Sequence, residues 1–367
     1  MKEKNDIQCL AHSTCTEKAF SRFIDCLSPD HSFAHRFSIF ASQMHTIDSH
    51  TISQMNELGK QRRPFVFLFD FECKRPKIWE FGASASYLSW RTPGKTNFDT
   101  QTFPGHPVTW NVFPVSFDRY RKAFELVQKH IHGGDSYLLN LTMPTKVETN
   151  LSLAEIAHQS RSPYLVYLKD EFVCFSPEIF VRIEQGRISS YPMKGTIDAN
   201  LPNAEQLLKT DRKELAEHHT IVDLIRNDLS RVANKVEVTR FCYIDEIVSN
   251  QGRLLQMSSE ISGILPENHL DHLGDLFAGL LPAGSISGAP KKKTIEIIEE
   301  AENYERGWYT GIFGVFDGEN VDSCVLIRYL EKNDDHYIFK SGGGITHLSQ
   351  CQEEYEELIR KVYVPIA

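Results

Sequence analysis

The stretch Phe172-Val173-Cys174-Phe175-Ser176-Pro177-Glu178-Ile179-Phe180-Val181-Arg182-Ile183-Glu184-Gln185-Gly186-Arg187-Ile188-Ser189-Ser190-Tyr191-Pro192-Met193-Lys194-Gly195-Thr196 decides the reading of the chain. It is rich in strand formers, and apolar side chains alternate with polar ones around Gln185-Gly186, the pattern of an antiparallel hairpin. Phe172 to Phe180 and Ile183 to Pro192 are expected as neighbouring strands, which would turn Glu178 and Lys194 toward one pocket. A φ-restricted proline and a Cβ-less glycine flank Lys194, fixing the backbone and leaving room for a ligand. Lysine becomes a nucleophile only where its surroundings lower its pKa, so a carboxylate that takes up and returns protons is expected beside it, with Glu178 the candidate. Taken singly, the two residues read as a solvated strand-end lysine and a turn glutamate. The accompanying motifs decide.

The chain has 367 residues, 41% apolar and 11% aromatic, enough for a sizeable core in two domains or one large body. A net charge of -9 and the lack of a Lys/Arg run interleaved with aromatics argue against nucleic-acid binding. Of the basic cluster Lys291-Lys292-Lys293, the last two read as a solvated first helical turn rather than a phosphate patch. The eight cysteines show no CxxC pair and no zinc spacing, and they read as reduced, largely buried thiols. The chain lacks a signal-like start and an apolar run of ~18 residues, so a cytoplasmic protein with no membrane partner is expected.

Two segments are expected: 1–110, a short front that completes the same body, and 111–367, a motif-dense catalytic part. Residues 1 to 60 are polar and His-rich, with weak helical periodicity at Phe20, Phe23, Ile24 and Leu27 and no nameable chemistry. Strands follow at Pro64–Phe71 and Ile78–Phe81, then a Gly/Pro/Thr-rich loop. Ser116 reads as the N-cap of a helix to His132 that Gly133-Gly134 stops, and Asp135 to Thr142 as a strand. A helix is expected from Ala204 to Val232, with Glu214 and Glu217 at i, i+3 on one face. The C-terminal helix Gln352 to Lys361 repeats that spacing at Glu354 and Glu357. One such pair alone fits a solvated acidic face, whereas two pairs suit a hard divalent cation that takes carboxylate oxygens. Between them, Leu281-Pro282-Ala283-Gly284-Ser285-Ile286-Ser287-Gly288-Ala289-Pro290-Lys291 exposes backbone N–H groups at the start of a helix from Lys291 to Glu302, which favours an anion. Asp317-Gly318 reads as a type I′ hairpin turn, followed by Ile327-Arg328.

These blocks, in this order from about residue 112 to 363, resemble chorismate-utilising enzymes of the aminodeoxychorismate synthase component I type. Tyr191–Thr196 is similar to the family's Pro-Ile-Lys-Gly-Thr signature, and Lys213–Asp228 to its Lys-Glu-x-Ala-Glu-His-x-x-x-Val-Asp-Leu-x-Arg-Asn-Asp block. Glu354–Lys361 is similar to Glu-x-x-Glu-x-x-x-Lys, Arg306–Gly311 to Arg-Gly-x-Tyr-x-Gly, and Ser341–Ile345 to Ala-Gly-Ala-Gly-Ile. The resemblance implies an α+β fold of two mostly antiparallel sheets packed face to face, with outer helices and a central cleft. It further implies Mg2+ on Glu217, Glu354 and Glu357 with Glu214 reaching through water. Lys194 and Glu178 would be catalytic, Gly195, Thr196 and Ser285 would line the pocket, and Tyr309, Arg328, Gly342 and Gly344 would hold a substrate carboxylate.

Departures sharpen that expectation. Lys194 stands where anthranilate synthase has alanine. Members that eliminate pyruvate carry a His-Leu-x-Ser block, against which Glu246-Ile247-Val248-Ser249 is set here, and Leu138 replaces a glutamine or a water-activating lysine. The front lacks a Leu-Leu-Glu-Ser motif, so no tryptophan pocket is assigned. The function implied is amination of chorismate at C4 in p-aminobenzoate and folate synthesis. The ammonia would come from a separate glutamine amidotransferase, since the sequence has no glutaminase signature of its own. An anthranilate-type or 2-amino-2-deoxychorismate synthase and an inactive binding homologue are the alternatives.

Overall fold

Strand pairing dominates the architecture. The computed structural model describes residues 46–367 apart from 84–85, 100, 102, 104–106, 250–251 and 367. The weak helix read at Phe20 to Leu27 therefore lies outside the described residues. Among them, the strands form two nine-stranded sheets whose pairings are antiparallel. The first runs Met193–Asp198, Gly252–Ile264, Arg187–Ser190, Ile179–Glu184, Val321–Val325, Ile312–Phe316, Phe65–Phe69, Lys77–Glu80, with Asn234–Ser249 added on Gly252–Ile264. The second runs Gly288–Ala289, Leu138–Thr149, His336–Ile345, Tyr329–Asn333, Phe172–Cys174, Leu165–Leu168, Leu88–Thr92, Lys95–Thr96, with Trp110–Phe113 on Leu138–Thr149. Residues 65–96 thus supply strands to both sheets.

The sheets pack face to face through Val66, Leu68, Phe313 and Cys324 of the first and Leu88, Val166, Phe172 and Tyr329 of the second, all within one buried cluster. Phe65–Phe69 is buried at every position, because its other face meets the helix Leu273–Leu280, where Phe277 packs edge-on against Phe67 at 4.6 Å. That double burial explains an unbroken apolar run in an antiparallel sheet, and each such side chain contributes about 1.5–3 kcal/mol. Helices Phe117–His132, Lys291–Glu302 and Cys351–Arg360 cover the outer face of the second sheet against Leu139, Leu141, Met143 and Ile345. Ser116 caps the first of them by accepting from the Arg119 amide, and Gly133-Gly134 ends it, Gly134 at φ 81°. No helix among the described residues is long and apolar enough to cross a membrane.

Three expectations need correction. Phe172 to Phe180 is not one strand: Phe172–Cys174 belongs to the second sheet and Ile179–Glu184 to the first. The chain changes sheets at Phe175–Glu178, where Pro177 has no N–H to give a ladder. The expected helix Ala204 to Val232 breaks into Ala204–Thr210 and Arg212–Leu229. Asp211 is extended at ψ 110°, and its carboxylate accepts from the Glu214 amide at 3.1 Å, recapping the second helix. The hairpin after Phe316 is not a two-residue type I′ turn but runs through Asp317, Gly318, Glu319 and Asn320. The Asp317 carboxylate accepts from the Glu319 and Asn320 amides at 2.9 and 2.7 Å.

Candidate active site

Helix Arg212–Leu229 presents Glu214 and Glu217, helix Cys351–Arg360 presents Glu354 and Glu357, and a glycine edge receives them. A Cβ on Gly344 would lie 2.4 Å from Glu217 Oε1, and one on Gly343 3.4 Å from Glu354 Oε2 and 3.5 Å from Glu357 Oε1. On Gly195 it would stand 3.4 Å from Glu214 Oε2. Any side chain at 344 would collide with a carboxylate, which is why that strand reads Gly-Gly-Gly where most strands carry branched residues. Gly343, which sequence reasoning did not select, borders two of the acids. Gly342 has another role: its carbonyl accepts from Lys361 Nζ at 2.8 Å, and a Cβ there would sit 2.2 Å from Leu141 O.

Two lysines answer the acids. Lys194 pairs with Glu217, and Lys361 with Glu357 at 2.5 Å. Lys194 was expected beside Glu178 with a lowered pKa; it lies within electrostatic reach of Glu178, but its pKa is raised. Burial alone would lower it, but Glu217, Glu357 and Glu214 overcome burial and hold the ammonium above the ordinary lysine value. Lys361 shifts downward because burial prevails over Glu357, with Arg328 adding to it. Burial and the charge of Glu217 push Glu214 up, partly offset by Lys194.

Glu178 stands just before strand Ile179–Glu184, within electrostatic reach of Lys194 and Lys361. Ser285, expected on the substrate, instead donates to Glu178 Oε1 at 2.6 Å. Burial raises the Glu178 carboxyl, and Ser285, Lys194, Arg328 and Lys361 pull it partly back. A raised carboxyl facing a lysine and an arginine suits a group that both gives and takes a proton. Arg328 adopts φ 54°, its Nε is buried without a partner among the described residues, and its guanidinium lies 5.8 Å from the Tyr363 ring centre. A buried donor left open in this way costs free energy that a bound carboxylate would recover. Tyr309 is buried against Tyr329, the ring centres 5.9 Å apart, and burial raises its phenol. Gly195 takes φ 68° in the bulge that follows Lys194, and the Thr196 side chain lies outside the described residues.

Among the described residues no three His, Cys, Asp or Glu side chains are gathered as a metal site. The donor chemistry of Glu217, Glu354 and Glu357 nevertheless suits a hard cation: all are carboxylates, Glu217 and Glu354 are buried, and bare glycine borders each of them. Lys194 and Lys361 now neutralise two of them, so an added cation would take the place of an ammonium. Leu138 is 2% exposed, and its Cδ1 lies 3.3 Å from the Cβ position of Gly344, so it walls the acid patch where a polar group was expected.

Glu246 is displaced from this chemistry. It is an exposed cross-strand partner of Arg253, with contacts of 2.5 and 2.7 Å, and Arg253 holds its carboxyl below the usual value. The residue that meets the Lys194 strand is Gln256, opposite Thr196, while Met257 stands opposite Lys194. A polar–apolar–x–Ser run also reads at Gln256–Ser259, and there the serine is buried, 2.7 Å from His218 Nε2. The two runs lie on adjacent strands, ten residues apart in sequence. Lys361 was legible as the last residue of the Glu-x-x-Glu-x-x-x-Lys block, although no role was given to it.

The profile of the family described as chorismate binding enzyme matches residues 41–367. An uncharacterized PabA-like protein of Pasteurella multocida is 53% identical over 317 residues, covering 86% of this chain and 98% of that one. Aminodeoxychorismate synthase component 1 of Escherichia coli is 32% identical over 262 residues, 67% of this chain and 56% of that one. The solved structure of anthranilate synthase component I from Streptococcus pneumoniae matches with a TM-score of 0.59 at 26% identity, over 70% of this chain and 59% of that chain. The menaquinone-specific isochorismate synthase of Escherichia coli, 17% identical, shares the fold at a TM-score of 0.66 over 85% and 79% of the two chains. A profile that takes in both sheets and all four glutamates leaves one placement: the chain belongs to the chorismate binding enzyme family.

Proposed function

We propose that this enzyme replaces the C4 hydroxyl of chorismate by an amino group and leaves the enolpyruvyl side chain in place. The observation that carries the reading is Lys194, seated inside the acid patch against Glu217, with Glu178 near enough to feel both Lys194 and Arg328 electrostatically. Arg328, through its open Nε, offers a fork for the enolpyruvyl carboxylate, with the buried Tyr309 beside it. Held by Glu217, Glu354 and Glu357, with Glu214 in reach through water, Mg2+ would anchor the ring carboxylate and spread charge as the hydroxyl leaves.

Lys194 first releases to solvent the proton that Glu217 now stabilises, and regains one when it is freed. Its amine then adds to C2, both conjugated ring double bonds shift, to C1=C6 and C4=C5, and the C4 hydroxyl departs as water with a proton from Glu178. Ammonia adds at C4, the electrons return, the C2–N bond breaks to free Lys194, and Glu178 takes back the surplus proton. Chorismate and ammonia thereby give 4-amino-4-deoxychorismate and water. The ammonia would come from a glutamine amidotransferase subunit, in agreement with the PabA-like naming of close relatives and with the lack of a glutaminase signature in this sequence.

Purified protein with chorismate, Mg2+ and ammonium at alkaline pH should form a product of aminodeoxychorismate mass that an added lyase converts to p-aminobenzoate. Anthranilate, which has lost pyruvate, would indicate the anthranilate-type reaction, and no product under any combination would end the catalytic reading.

A further inference from the structure

A buried ion pair that the mechanism does not use ties four elements together behind Glu178. Asp228, in the last turn of helix Arg212–Leu229, pairs with Lys291, the first residue of helix Lys291–Glu302, at 2.8 Å, both side chains less than one tenth exposed. Lys291 Nζ also donates to Leu280 O, at the end of helix Leu273–Leu280, at 2.9 Å. Asp228 also lies against the Gly284 backbone, whose amide draws its carboxyl down against the burial that raises it. Gly284 has no room for a side chain, since a Cβ would lie 2.5 Å from Asp228 Oδ2 and 2.9 Å from Leu224 Cγ. The next residue is Ser285, whose hydroxyl donates to Glu178 Oε1 at 2.6 Å.

We propose that Asp228 and Lys291 are positioning residues for proton transfer: the pair fixes Gly284, and through it the Ser285 hydroxyl that orients Glu178. The inference rests on the reading of Glu178 as the proton-transfer group. Burial alone explains neither feature that distinguishes this pair. A buried ion pair is a poor source of stability, because the desolvation of both ions offsets their attraction, and an apolar pair of similar size often serves a fold as well. The Gly284 backbone, however, faces the Asp228 carboxylate, and an apolar residue offers its amide no negative neighbour. Ser285 pulls the Glu178 carboxyl down, so a misplaced hydroxyl lets it rise. The other charged or titratable groups facing Glu178 are Lys194, Arg328, Lys361 and the Cys324 thiol, and none of them lies on the loop that the pair holds.

The test is a cycle of variants read by the pH dependence of kcat. Asp228→Leu with Lys291→Met should keep the thermal unfolding midpoint within a few degrees, lower kcat on the order of tenfold, and move the Glu178 limb to higher pH. Ser285→Ala should move that limb in the same direction by a similar amount. Combining all three substitutions should be no worse than Ser285→Ala alone, because the pair acts through the serine. Gly284→Ala, which presses on Asp228, should reproduce the shift and decides the matter should the apolar double variant not fold. A limb at the wild-type position in the double variant or in Gly284→Ala, or losses that multiply in the triple variant, would overturn the inference. Glu178→Gln separates it from the proposal beneath: an active Glu178→Gln with an unmoved limb would sink the role of Glu178 itself.

Discussion

Two ion pairs lie near the glycine edge, and they are built to different ends. Arg306 and Glu302 are each 1% exposed and fully engaged. Glu302 takes Nη2 at 2.6 Å and Nε at 2.9 Å, Ile286 O and Asn140 O take two further donors at 3.0 and 2.6 Å, and the Thr142 amide reaches Glu302 at 2.8 Å. Lys194 and Glu217 are 27% and 9% exposed, with three further carboxylates, Glu214, Glu354 and Glu357, around the same glycine edge. The first pair is a closed network that joins strand Leu138–Thr149 to the loop before Tyr309. The second is open, with more acid than the lysines neutralise. Satisfied networks rigidify a fold, and unbalanced ones bind and react.

The sharpest way to break this contrast is to cut each pair once. Arg306→Met leaves the Glu302 carboxylate buried without its partner and should cost about 3–5 kcal/mol of stability in urea unfolding. Lys194→Ala should unfold at a denaturant concentration much closer to the wild type while turnover drops on the order of a hundredfold or more. Equal destabilisation by the two would make Lys194 a structural residue. The acids give a smaller, graded effect. Gln at Glu217, Glu354 or Glu357 should weaken Mg2+ binding by calorimetry and lower Mg2+-dependent turnover on the order of tenfold, as loss of a metal ligand does. Gln at the exposed Glu353 or Glu356 of the same helix should leave both within about twofold. Uniform sensitivity along the helix would mean an acidic face with no metal. The smallest effect belongs to Glu246: its pair with Arg253 lies at the surface and is screened by solvent, so Glu246→Gln should keep turnover within about twofold and yield no anthranilate.

The sequence made some of this contrast legible. Side-chain period and caps located helices Phe117–His132 and Lys291–Glu302 and the Gln185-Gly186 hairpin, because those signals are local. The i, i+3 acids were equally local, and two glycine-bordered pairs on separate helices are what the fold brings together. What local signals did not carry was partnership. Ser285 reads as a ligand residue in a glycine-rich loop, yet it bonds to Glu178, 107 positions earlier. Asp228 and Lys291 read as parts of two separate blocks, and only the fold makes them neighbours. The sheet change at Phe175–Glu178 was missed for the same reason: both strands are apolar, and nothing in their period says which sheet each one joins.

The central claim is that Lys194 is a nucleophile and not only a positive charge held by acids. Incubating the protein with chorismate and Mg2+ but no ammonia, then recording the intact mass and mapping peptides, tests it most directly. The account predicts an adduct on the peptide that contains Lys194, absent from Lys194→Ala, with Lys194→Arg inactive because a guanidinium stays protonated. An unmodified wild-type chain together with an active Lys194→Arg variant would contradict it.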